Sequence, residues 1–137
     1  MSDRRVEVFF YGLFMDPQLL QAKGVHPTDV RPAAVSGFAL RIGARAAMVP
    51  ATGAQVHGML MTLSHAEVEK LYSEPSLTMY RPEPVLAVSR TGITIAALCY
   101  NLPVAPGPDE RNAEYSAKLR AVAQRLGLPD EYVRSIQ

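Results

Sequence analysis

Over the first hundred residues, apolar positions come in short runs of β-branched and aromatic residues separated by Gly, Pro and Asp; only near the end do they settle into a three- to four-residue period. The first pattern predicts strands and the second a helix. Val6–Tyr11 (VEVFFY) predicts a buried first strand running into a tight turn at Gly12. Asp16 places an N-cap residue ahead of Pro17, which suits a first helical position, and Gln18–Lys23 predicts a short helix stopped by Gly24. His26–Ala34, with Pro27 and Pro32, reads as a connector, and Ala33–Ile42 as a second strand broken near Gly37. Ala46–Pro50 predicts a short strand or edge segment and Thr52-Gly53 a turn. Gln55–Leu63 (QVHGMLMTL) then predicts a strand with apolar residues on both faces, and therefore a central one.

Ser64 stands three residues before Glu67, the capping-box spacing, and predicts a helix over Ala66–Tyr72. Pro75 disfavours the α conformation at Glu74, so this helix ends by Ser73 and leaves Glu74 at its C-terminal edge. Pro84–Val88 and Ile93–Leu98 predict a hairpin around the turn Ser89–Gly92. Pro103–Pro108 is a connector, Asp109 or Asn112 caps a last helix over Ala113–Leu126, and Gly127 stops it before a short turn through Tyr132. On that helix Tyr115, Leu119, Val122 and Leu126 form a core-facing stripe. Strands first and one long helix late point to an α+β protein with a mixed, largely antiparallel sheet.

With 137 residues, 48% of them hydrophobic and 20% charged, the chain suits a single globular domain spanning 1–137. The net charge of +1 offers no field to attract a nucleic-acid backbone or an anionic membrane, so the expected partner is a small molecule or a protein, with a small-molecule substrate foremost. Met1–Arg5 leads into only a short apolar stretch, unlike a signal peptide, and no apolar run is long enough to span a bilayer; a cytoplasmic protein, monomeric or homodimeric, is expected. Cys99, the one cysteine, lies in an apolar run and reads as a buried thiol. The three histidines, His26, His57 and His65, lack metal-ligand spacing, and no Walker or dinucleotide fingerprint occurs, so no metal and no cofactor are expected.

Two places carry candidate chemistry. In Tyr11-Gly12-Leu13-Phe14-Met15 the glycine lets the backbone turn sharply after a strand and expose successive N–H groups that suit a carboxylate or an oxyanion. On pattern alone, a plain strand-to-helix turn is the simpler reading. Glu74 lies between a helix and the aromatic segment Met79-Tyr80-Arg81. In a partly apolar pocket its carboxyl pKa would rise, which suits proton transfer near neutrality. An acidic residue beside a proline is otherwise a solvated loop charge.

In this order the segments resemble the gamma-glutamylcyclotransferase family, including its AIG-type relatives. VFFYGLFMDPQLL is similar to the family's first strand and YG turn, QVHGMLMTLS to its strand leading into a helix, and LYSEPSLTMYRPEPV to the segment holding its glutamate. ALCYNL and LGLPDEYV complete a likeness running from about Val6 to Val133. The resemblance implies a small barrel-like sheet with flanking helices. It also implies an enzyme in which the α-amine of a γ-glutamyl group attacks its own γ-carbonyl and closes 5-oxoproline, releasing an amine. Glu74 would be the general acid/base, the amides of Gly12, Leu13 and Phe14 would hold the substrate carboxylate or oxyanion, and Tyr11, Tyr80 and Tyr100 would wall the pocket or donate hydroxyls. Three departures bear on substrate choice and on whether catalysis is kept. Leu13 stands where Ser or Thr is common, Leu71-Tyr72 replaces Leu-Asp with one residue fewer before Glu74, and Pro75 replaces a common glycine. A non-catalytic module that keeps the pocket to bind a small molecule or a partner is the alternative.

Overall fold

The computed structural model describes residues 4–137, so Met1 to Asp3 of the Met1–Arg5 lead-in lie outside the described residues. Five strands form the body of the molecule: β1 (Arg5–Phe10), β2 (Thr28–Ile42), β3 (Ala46–Ser64), β4 (Arg81–Ser89) and β5 (Thr94–Asn101). They close into a barrel in the order β1-β3-β2-β4-β5. Every pairing is antiparallel except β1 with β5, which is parallel and meets through Val8 and Leu98. Helices α1 (Pro17–Ala22), α2 (His65–Leu71), α3 (Ala113–Arg125) and α4 (Asp130–Ser135) join or flank them. This is the mixed, barrel-like α+β architecture expected from the sequence.

The central strand is β3, which pairs with β1 along one edge and β2 along the other. Val56, Leu60, Met61 and Leu63 on it are all buried, beside Val8 and Phe9 of β1. Gly58 is required there, because a Cβ at that position would stand 2.2 Å from the Phe10 carbonyl oxygen.

Two expectations about the strands need correction. Thr52-Gly53 is not a turn between two strands: β3 runs unbroken from Ala46 to Ser64. The register with β2 jumps from Ser36↔Gln55 to Phe38↔Pro50, and Gly37 (φ 86°) and Gly53 (φ 80°) take up the irregularity. Glycine at positive φ permits a bulge that bends a strand as readily as a turn that reverses it. The segment expected as a connector is also largely strand, since β2 begins at Thr28 and Pro32 pairs with Met59 just after a further bulge between Thr28 and Arg31. Proline is tolerated beside a bulge because the ladder is already interrupted there.

The local helix signals correspond to real caps. Ser64 Oγ accepts from Glu67 N–H while Glu67 Oε1 accepts from Ser64 N–H, the reciprocal capping box, and α2 gives way to Tyr72 before Glu74. Asp16 accepts from Gln18 N–H at the start of α1, and Asn112, of the two candidates, caps α3. The stripe on α3 is turned from the expected one: Ser116, Leu119 and Ala123 are its buried positions, while Tyr115, Val122 and Leu126 are only partly covered. That rotation frees Tyr115 for the site described next.

Candidate active site

At one end of the barrel β1 runs into the Gly12 turn, β3 begins at Ala46, β5 ends near Tyr100 and β4 is preceded by Tyr80. These meet around a cavity of about 240 Å³ whose wall includes Tyr11, Gly12, Leu13, Phe14, Tyr80, Tyr100 and Glu74. All seven site residues named from the sequence therefore line one space. Tyr72, Arg45, Leu77 and Tyr115 line it too, and none of these was expected there. Segment 75–79 contributes Leu77 to the lining, and the proline connector 103–108 contributes nothing.

The floor is aromatic. Tyr72 stacks on Tyr100 with ring centroids 4.0 Å apart and 12° between planes, and its edge contacts reach Phe14 and Tyr80. Tyr72, noted above as a departure, thus adds an aromatic ring to the pocket wall. Burial pushes the hydroxyls of Tyr11, Tyr72, Tyr80, Tyr100 and Tyr115 above the ordinary phenol value of 10.0, so all five stay protonated near neutrality and serve as donors, not bases.

Where those protons go separates the tyrosines. Tyr11 donates to the Tyr100 carbonyl at 3.0 Å, with Asn101 Oδ1 at 3.3 Å as an alternative acceptor, and Tyr80 donates to the Ala46 carbonyl at 2.7 Å. Both hydroxyls are spent on the frame. Asn101, buried, fastens the frame further by donating to the Met48 carbonyl and accepting from the Met48 amide, each at 2.9 Å. Tyr115 is different: its Oη accepts the Leu13 N–H at 3.3 Å, which leaves its own proton for the cavity. A Cβ at Gly12 would stand 2.7 Å from that oxygen, so glycine admits the tyrosine as well as the turn.

Over residues 12–14 the turn engages two of its carbonyls and one of its amides. Met15 N–H bonds to the Gly12 carbonyl and Asp16 N–H to the Leu13 carbonyl, and of the amides at 12, 13 and 14 the Leu13 one is satisfied by Tyr115. Glu74 is half-buried and accepts from Lys23 Nζ at 2.6 Å through Oε1. The sequence expectation of an apolar setting omitted this cation, which comes from the end of α1 and lies 5.9 Å from the Phe14 ring centre. Arg45, on the turn between β2 and β3, donates through Nε to the Ser76 carbonyl at 2.8 Å, two residues past Glu74. The sequence signal that might have found Arg45 is a cation beside a glycine in a strand-to-strand turn (Gly43-Ala44-Arg45), which is too common to select it.

The other singled-out groups lie elsewhere. Cys99 is buried, and that burial, with Glu83 nearby, pushes its thiol up to about 12, so it is no nucleophile. His57 packs 4.8 Å from the Tyr132 ring on the outer wall, and burial pulls its pKa down. Among the described residues no group of three or more His, Cys, Asp or Glu side chains converges as a metal would require.

Residues 8–119 match a family model described as gamma-glutamyl cyclotransferase, AIG2-like. A solved structure named gamma-glutamyl cyclotransferase superposes with a TM-score of 0.78 at 18% identity, over 98% of this chain and 89% of its own. An uncharacterized protein from Homo sapiens gives 0.76 at 18%, over 97% and 88%. YkqA from Bacillus subtilis gives 0.78 at 21%, over 97% of this chain and 53% of its own. At these identities the structures speak for fold alone. No curated protein matches the chain by sequence.

Proposed function

The chain belongs to the gamma-glutamyl cyclotransferase, AIG2-like family, and from that premise we propose that it cyclises a γ-glutamyl amine or related γ-acyl amine to 5-oxoproline, with Glu74 as general acid and base. The observation that carries this reading is the sharing of one cavity by Glu74 and the Gly12 turn. The cyclisation needs a proton carrier on one side of the γ-carbonyl and hydrogen-bond donors on the other.

In the proposed reaction the α-nitrogen of the substrate forms a bond to its own γ-carbon while the bond from that carbon to the leaving nitrogen breaks. The α-nitrogen attacks as the free amine; Glu74 takes the proton it sheds as the new bond forms and returns it to the leaving nitrogen, which departs as the amine. The free amides of the Gly12 turn and the uncommitted Tyr115 hydroxyl face the developing oxyanion. Rigid aromatic walls hold the glutamyl chain folded, which supplies the proximity that ring closure requires. Lys23 donates to Glu74 Oε1 at 2.6 Å, and the substrate's amino group takes its place or joins at the other carboxylate oxygen.

The test is to incubate the protein with a panel of γ-glutamyl amines and dipeptides and follow 5-oxoproline by mass spectrometry. Glu74→Gln should lower kcat by about 10²–10⁴-fold, because the amide keeps the shape and cannot carry the proton. Activity that survives this change sinks the assignment. Ligand-induced stabilisation without turnover in the wild-type chain would instead support the binding-module reading.

A further inference from the structure

We propose that Arg45 forms a carboxylate subsite within this cavity, engaging the α-carboxylate of the ligand through its terminal guanidinium nitrogens while the Gly12 turn and Tyr115 attend to the carbonyl. The inference rests on the function proposed above and divides labour inside it: the turn amides, expected from the sequence to serve either carboxylate or oxyanion, are left to the oxyanion.

Three observations support it. Arg45 is the only lysine or arginine among the residues lining the cavity. Its Nε is held by the Ser76 carbonyl at 2.8 Å, and its two terminal nitrogens make no hydrogen bond among the described residues. A guanidinium fixed at its stem with a free fork matches a carboxylate's two oxygens. Meanwhile the Leu13 amide is already engaged by Tyr115 Oη, so a carboxylate bound at the turn would find only its remaining amides without displacing an existing bond.

The base of Arg45 is also fixed. The carbonyl of its neighbour Ala46 accepts from Tyr80 at 2.7 Å, with Tyr11 Oη a further 3.4 Å contact, so the turn carrying Arg45 is anchored to the pocket wall before any ligand arrives. An α-amino acid head group carries a carboxylate and an ammonium on one carbon. Arg45 and Glu74 offer it the two opposite charges from residues of one cavity lining.

The probes are 5-oxoproline and its carboxamide, which differ only in the charged group, measured by isothermal titration calorimetry. Wild-type protein should favour the carboxylate by about tenfold or more, the usual worth of a charge-assisted pair. Arg45→Gln should reduce that preference to about twofold or less, and Arg45→Lys, which keeps charge but not the fork, should fall between. Glu74→Gln should leave the preference in place. Loss of turnover in that variant, or no turnover at all, therefore concerns the proposed reaction and not this subsite. Three results overturn it: wild-type protein that binds neither compound or does not discriminate, a preference that survives Arg45→Gln, and an equal loss for both compounds. The last would mean that Arg45 serves only to tether the Glu74 segment through Ser76.

Discussion

Glu74 and Glu7 each hold a cation at 2.6 Å, with 43% and 30% of their side chains exposed, yet they do different things. Glu7 sits on β1 directly opposite Thr62 of β3, and both of its oxygens are engaged: Oε2 accepts from Arg31 of β2 and Oε1 from Thr62 Oγ1, each at 2.6 Å. It stitches three neighbouring strands. Glu74 has one oxygen engaged by Lys23 and lines a cavity. A carboxylate with both oxygens engaged is a fastener; one with an oxygen left over, beside a cavity, is available for chemistry.

The largest effect separating the two should come at the reaction itself. Glu74→Gln is expected to cost about 3–5 kcal/mol in the barrier, the equivalent of the rate loss given above, with little change in the unfolding midpoint. A large drop in stability would place Glu74 among the fasteners. Next in size is Asn101→Ala, which strands both the amide and the carbonyl of Met48 in a buried setting. It should destabilise the fold by about 2–4 kcal/mol in urea unfolding. A cost near zero would show that this amide pair does not hold the mouth.

Glu7→Gln should cost about 1 kcal/mol at pH 7. Burial works to raise the Glu7 pKa, but the Arg31 and Thr62 hydrogen bonds outweigh it and hold the group below its ordinary 4.5. A depressed carboxylate pKa gives stability that is complete above the unfolded value and lost as pH falls through the folded one. The stability gap between wild type and Glu7→Gln should therefore close as unfolding is measured from pH 7 down to about pH 3. A gap that widens in acid contradicts the role assigned to Arg31. The smallest effect is expected for Lys23→Met, within about 0.5 kcal/mol in thermal unfolding, since side-chain exposures of 32% and 43% leave the Lys23–Glu74 pair well screened. If it costs as much as Glu7→Gln, the two pairs are alike and the contrast fails.

Legibility in the sequence followed the range of each interaction. The Ser64/Glu67 capping box, the Asp16 cap and the Ser89–Gly92 hairpin were readable because their partners lie within four residues. The break in β2 near Gly37 was readable too, but Gly53 reads as a turn, because a glycine at positive φ looks the same in a turn and in a bulged strand until its partner strand is known. The tyrosines showed the same limit. Tyr115 shares a helical stripe with Leu119 and reads as core, and only its contact with Leu13, 102 residues away, brings it to the cavity.

From its residues alone the chain declared a strand-rich α+β domain, a glycine turn after the first strand, a glutamate released from a helix by a proline, and a family likeness that joined them. Those features depend on backbone preference, local capping and the period of apolar positions, which neighbours in sequence decide. Tertiary structure decided what each polar atom is bonded to. It supplied Lys23 to Glu74 across 51 residues, fastened Asn101 to Met48 across 53, and left the Arg45 fork and the Tyr115 proton unspent beside the cavity. Whether a polar group holds the frame or remains free for a ligand is a matter of which partners closure of the barrel brings within about 3 Å, and local sequence has no measure of that.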